Sequence, residues 1–200
     1  MRLAVIGSAG RDEAAPISLA LYDKMYERLA WYVERWEITS AVSGGAAFAD
    51  HLAVRAYLAG LVKDLTLYLP AHFENGAYVP NPRIQFNPGK TSNNFHDRFS
   101  RKTGVQGLAE IAQAIEKGAN VHVFEGFHNR NCEVASHCDY LLAFTFGSKT
   151  FTEIRSDDPA FTDHRKAGVK DGGTEHTFNE TWNVHAKAHE NLSDLVKELG

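Results

Sequence analysis

The stretch "AVSGGAAFADHLAVRAYLAG", residues 41–60, decides how this chain folds. A short apolar run ends at two glycines and an alanine-rich segment with helical spacing follows at once: Leu52, Ala53, Ala56 and Tyr57 fall on one side. A strand that hands over directly to a helix is half of a βαβ unit. Such a turn leaves two readings open. It is a tight connection that needs small residues, or its backbone N–H groups hold an anion at a helix start.

Working outward, the alternation continues. "RLAVIG" at 2–7 reads as a first strand, and 17–36 as a helix with Ile17, Leu21, Met25, Leu29, Tyr32 and Trp36 on a buried stripe. "DLTLYLP" at 64–70, "NVHVF" at 120–124 and "DYLLAFTF" at 139–146 supply further strands. Strand–helix alternation calls for a parallel sheet covered on both faces. The expected fold is a single α/β domain, Rossmann-like and three-layered, with a mostly parallel sheet of about five or more strands over 1–200. Two long irregular segments, 71–94 and 147–173, interrupt it. A helix is expected from an N-cap at Asn93 or Asn94 to Gly118, and a short one within 125–138. A last helix is expected from Thr174–Thr177 onward, carrying Phe178, Trp182, His185, His189, Leu192, Val196 and Leu199.

Composition narrows the function classes. Hydrophobic residues make up 44% and charged residues 23% of 200, the balance of a globular chain rather than a disordered or membrane-embedded one. A net charge of −4 disfavours a nucleic-acid partner, which needs a basic face. The polar N-terminus and the two cysteines, Cys132 and Cys138, point to a reduced, cytoplasmic protein with core thiols. His185 and His189 have the four-residue spacing of shared metal ligands but lack the intervening acid and a third ligand, so no metal is expected.

Ligands of such sheets sit beyond the carboxyl ends of the strands. Three glycine-bearing turns qualify there: "GSAGR" at 7–11, "SGGAA" at 43–47 and "DGGTEHT" at 171–177. They nominate Gly7, Ser8, Arg11, Ser43, Gly44, Gly45, Gly172, Gly173, Thr174 and Thr177 as phosphate-binding positions. Familiar motifs fail: there is no G-x-G-x-x-G, "NPGKTS" has Ile84 where a P-loop has its first glycine, and Ser43 lacks a glycine two residues before it. Arg130 has the chemistry to grip phosphate bidentately or to pair with Glu133; Thr177 and Glu180 have capping-box spacing; Asp50 suits a helix start.

At these residues the chain resembles the SLOG superfamily, which includes the Lonely Guy phosphoribohydrolases and the DNA-processing protein A domain. The resemblance rests on the order of "AVSGGAAFAD", "FHNRNCEVASHCDYLLAF" and "GGTEHTFNE". Arg130 stands nine positions before Asp139, and Gly172, Gly173, Thr177 and Glu180 follow the order of P-G-G-x-G-T-x-x-E. Asp171 replaces the proline, His176 replaces the later glycine, one residue is inserted, and Phe48 stands where related modules carry glycine. The resemblance implies a nucleotide or nucleotide-derivative ligand, no cofactor, and pairing into a homo-oligomer such as a dimer. Glu180 and Arg130 are its implied catalytic residues for hydrolysing the N-glycosidic bond of a nucleoside 5′-monophosphate, with Asn131 beside the phosphate. A non-catalytic sensor built on the same pocket is the alternative.

Overall fold

In the computed structural model all residues except Glu13 and Gln85 are described. Gln85 belongs to the segment 71–94, so that part of the expectation lies outside the described residues. The sheet grows from β1 (Arg2–Gly7), whose partners are β2 (Ser40–Ser43) on one side and β7 (Tyr140–Thr145) on the other, both parallel. β2 pairs with β3 (Asp64–Leu69), and β3 with β6 (Asn120–Val123). β7 pairs with β9 (Ala186–Asn191), which carries an antiparallel edge strand, β8 (Phe151–Ile154). The order is β6-β3-β2-β1-β7-β9-β8, a mostly parallel seven-stranded sheet.

Alternate residues of one strand enter different cores. Leu3 and Val5 of β1 pack with α1 (Leu19–Arg35), α2 (His51–Leu58), α3 (Pro88–Thr103), α4 (Gly107–Glu116) and α7 (Leu192–Glu198), whereas Ala4 and Ile6 face α5 (Phe127–Ser136) and α6 (Gly173–Glu180). Continuous burial along a strand whose residues alternate between two cores is what a sheet covered on both sides requires. The helical stripe of α1 is buried as its spacing predicts, with the Ser18 hydroxyl capping the Leu21 N–H.

Three elements depart from expectation. The helix after the proline-rich segment starts earlier, at Pro88, because the Asn87 side chain caps the Lys90 N–H and proline suits a first turn. Asn93 is mid-helix and clasps both backbone groups of Tyr78. That helix also breaks at Gly104, whose φ of 81° is left-handed, so α3 and α4 are separate. The segment 71–94 includes a small hairpin, β4 (Phe73–Glu74) and β5 (Ala77–Tyr78).

The expected last helix is the largest correction. It is α6, then strand β9, then α7. All six residues of "AKAHEN" are buried, and their polar groups find partners in space: Lys187 Nζ donates to the carbonyls of Phe161 and Phe178, and Glu190 accepts from the Tyr32 hydroxyl. His185 and His189 therefore do not share a helix face, and Trp182, 70% exposed, lies between α6 and β9 while Leu199 follows α7, so the two do not share one helical stripe.

Candidate functional site

The chain leaves β1 toward β2, β3 and β6 on one side and returns through α5 to β7 on the other, so the direction of winding reverses between β1 and β7. At such a switch point the strand ends splay and open a crevice. A cavity of about 210 Å³ sits there. Its floor is the end of β1 (Ile6, Gly7, Ser8) and of β7 (Thr145, Phe146); α5 contributes Phe127, Arg130 and Asn131, and the start of α6 contributes Gly172, Gly173, Thr174 and Thr177.

The structure thus gathers Gly7, Ser8, Arg11, Asp50, Arg130, Asn131, Gly172, Gly173, Thr174 and Thr177 around one cavity. Thr174 Oγ1 donates to the Gly7 carbonyl at 3.0 Å, and Asn131 Nδ2 to the Gly173 carbonyl at 3.2 Å, pinning the start of α6 to β1 and α5. The Gly172 N–H donates to Glu175, but no side chain caps the first turn of α6. Unspent amides at a helix start, with the dipole's positive end, favour an anion.

The first two glycine turns play a different part from the one expected. In "GSAGR" the Gly7 amide donates to Asp50, the Ser8 amide to the Phe144 carbonyl and the Gly10 amide to Ser8 Oγ. Ser43, Gly44 and Gly45 do not line the cavity at all. Ser43 Oγ donates to the Asp50 carbonyl and accepts from the Gly45 amide, while the Gly45 carbonyl accepts from Tyr78 and bonds His96. A Cβ on Gly44 would overlap the Arg130 guanidinium. Without a Cβ at Gly44 the turn leaves room for Arg130 to pack against its backbone.

Arg130 is almost fully buried and pairs with Asp50, Nη1 to Oδ2 at 3.3 Å, rather than with Glu133. Asp50 does not cap α2; it also accepts from the Gly7 amide at 3.1 Å. Burial drives its carboxyl above the ordinary range, against the pull of Arg130 and those amides. Arg130 Nε is buried with no partner among the described residues. A buried, unpaired guanidinium donor is costly unless something accepts from it.

Glu180 is not brought to the cavity. Because α6 begins at Gly173, Glu180 is its last residue, exposed and about 10 Å along the axis from the first turn. Thr177 is likewise no N-cap; its hydroxyl donates back to Gly173. Among the described residues, the carboxylates at the cavity are Asp12, Asp50 and Asp171. Asp171 is held by an ordered relay in which Asn179 Nδ2 donates to His164 Nδ1 and His164 Nε2 donates to Asp171 Oδ1 at 2.7 Å. That hydrogen bond holds the Asp171 carboxyl below its usual range and ionised. A second relay fixes the floor: the Lys170 amide donates to Thr145 Oγ1, which bonds His189 Nε2 at 2.7 Å, while His189 Nδ1 faces the Lys149 carbonyl.

Sequence reasoning missed Asp12, Phe127, Thr145, Phe146 and Lys170 as lining residues, and it treated Asp171 only as a departure from a motif. The signal for Thr145 and Phe146 was available, since they end the strand at the switch point. The His164–Asp171 contact, between residues inside an irregular loop, had none. Cys138 is a buried thiol as expected, pushed up to about 12 by burial, but Cys132 is half-exposed on α5. No described helix is long and apolar enough to cross a membrane.

Over 157 residues the chain is 35% identical to an uncharacterized protein of Acanthamoeba polyphaga mimivirus, a match covering 74% of this chain and 84% of the viral protein. No family model matches the chain.

Proposed function

We propose that this chain, which belongs to the same family as that mimivirus protein, is a SLOG-like module that binds a nucleotide or nucleotide derivative in the cavity between β1 and β7. The observation that carries the reading is Arg130: a buried guanidinium with an orphan Nε, laid beside the start of α6, where Glu175 takes the Gly172 amide and the first-turn amides beyond it have no side-chain acceptor among the described residues. Phosphate is the group that suits both, since it accepts from a guanidinium fork and from helix-start amides together. At about 210 Å³ the cavity falls below the range that encloses a whole drug-sized ligand, so a phosphorylated sugar end enters and the base lies toward the mouth.

One observation favours hydrolysis as a second reading. Asp171, ionised and aimed by His164, is a cavity carboxylate able to steady a sugar that gains oxocarbenium character. In that reaction the C1′–N bond breaks, water adds to C1′, and the water's proton leaves with the base. Asp171 takes the part that the resemblance gave to Glu180.

The test is a panel of nucleoside 5′-monophosphates scored by melting temperature and by release of free base. Arg130→Lys keeps a cation beside Asp50 but loses the fork; it should weaken nucleotide binding about tenfold, one hydrogen-bonded charge contact, and leave nucleoside binding unchanged. Equal losses for both would remove the phosphate role. Base release that is abolished in Asp171→Asn and retained in Glu180→Gln would establish the hydrolase; stabilisation without base release would leave the binding module.

A further inference from the structure

Behind the cavity wall, α5 and α6 touch through three side chains that the nucleotide reading does not use. His128 and Cys132 stand four apart on α5, one helical turn, and so share a face. His176 reaches them from α6. One ligand atom from each, two imidazole nitrogens and a thiol sulfur, lie within 4.8 Å of one another. Cys132 Sγ is 3.5 Å from His176 Nε2, and the two imidazole rings are 4.4 Å apart at 34°.

We propose that His128, Cys132 and His176 form a binding site for a thiophilic divalent cation of the zinc type. Zinc bound at about 2.3 Å to sulfur and 2.0–2.1 Å to nitrogen separates those two ligands by about 3.6 Å in a tetrahedron. The observed 3.5 Å already has that spacing. The donor set is soft, with no carboxylate, which selects against magnesium and calcium. Three protein ligands on a half-exposed surface leave a fourth position for water or a ligand group, the arrangement of an open rather than a closed zinc site.

The other convergence of metal-ligating groups, His164, Asp171 and Glu175, contrasts with it. Both His164 nitrogens are committed there, one to Asn179 and one to Asp171. At the Cys132 cluster the groups have each other and little else to bind. The consequence is mechanical: the ion staples α5, which carries Arg130 and Asn131, to α6, whose first turn lines the cavity. This proposal stands independently of what the cavity binds.

The experiment uses tag-free, reduced, full-length protein. Titration with zinc alone should give one ion per chain and raise the melting temperature. Cobalt alone should give tetrahedral visible bands with a thiolate charge-transfer band in the near ultraviolet. Cys132→Ala and His176→Ala should each weaken zinc binding by about a hundredfold or more and Cys132→Ala should erase the charge-transfer band. His185→Ala, just before β9 at the opposite end of the strands from the cavity, should change neither. No charge-transfer band in the unaltered protein, or zinc binding that survives Cys132→Ala at full strength, overturns the site.

Discussion

Phe48 shows how far one residue departs from what its neighbours suggest. It has a φ of 63°, in the left-handed region that favours glycine, yet its side chain is fully buried against Tyr22 and Phe99. It therefore neither stacks on a ligand nor blocks the cavity; it fills the core beneath the turn. Left-handed backbone costs about 1–2 kcal/mol for a residue with a Cβ. Deleting a buried aromatic ring costs about 3–5 kcal/mol. Phe48→Gly should therefore lower stability by about 1–4 kcal/mol in urea unfolding, since the lost packing outweighs the relieved strain. A gain in stability would mean that the ring contributes little packing. The same scale explains Arg130. Its type and place were legible in the sequence, but its partner, 80 positions away in Asp50, was not.

At the scale of elements, β9 is the instructive case. Spacing of three and four residues from Phe178 to Leu199 imitates a helix, and the apolar–polar alternation of "AKAH" at 186–189 rests on two alanines, too weak a strand signal to outweigh it. Lys187 sits in its middle, fully buried, with its ammonium over the rings of Phe161 and Phe178. Burial lowers its pKa from 10.5 to about 7. The unfolded chain then holds a proton that the folded one lacks, so between about pH 7 and 10.5 stability rises with pH. From pH 7 to 9 this contributes about 1 kcal/mol per pH unit, before the raised Cys138 thiol acts in the opposite sense above its ordinary value of 9.0. Lys187→Met should flatten that slope, read from urea midpoints at pH 7, 8 and 9. A slope that persists would assign it to other groups. The variant should also be weaker at pH 9, because two carbonyls lose their donor.

For the whole molecule the cores on both faces of the sheet are apolar, but neutral imidazoles are set into the frame. His51, His96 and His189 are buried, and burial lowers them to about 3, 4 and 4. Each contributes stability that is present above the ordinary value of 6.5 and is lost as pH falls toward its folded value. Unfolding between pH 6 and 5 should take up close to three protons. That is a loss on the order of 3 kcal/mol per pH unit, trimmed by Asp50 and Glu190, whose raised carboxyls act the other way. Urea midpoints measured across that range check it, and His96→Gln should remove about one proton of the dependence. A flat profile would mean that these imidazoles titrate normally in the folded protein.

By itself the sequence determined the α/β class, the parallel strands β1, β2, β3, β6 and β7, the buried face of α1 and most residues that line the cavity. These follow from periodicity and from glycine at strand ends, which are local properties of the chain. Tertiary structure decided the rest. It made 186–191 a strand, because buried polar groups there are satisfied only by distant carbonyls, hydroxyls and rings. It made "SGGAA" a seat for Arg130, since a Cβ on Gly44 would overlap the guanidinium and the Gly45 amide is spent on Ser43. It moved Glu180 out of the cavity and Asp171 into it. Hydrogen-bond partners lie in space, and the order of residues along the chain does not record them.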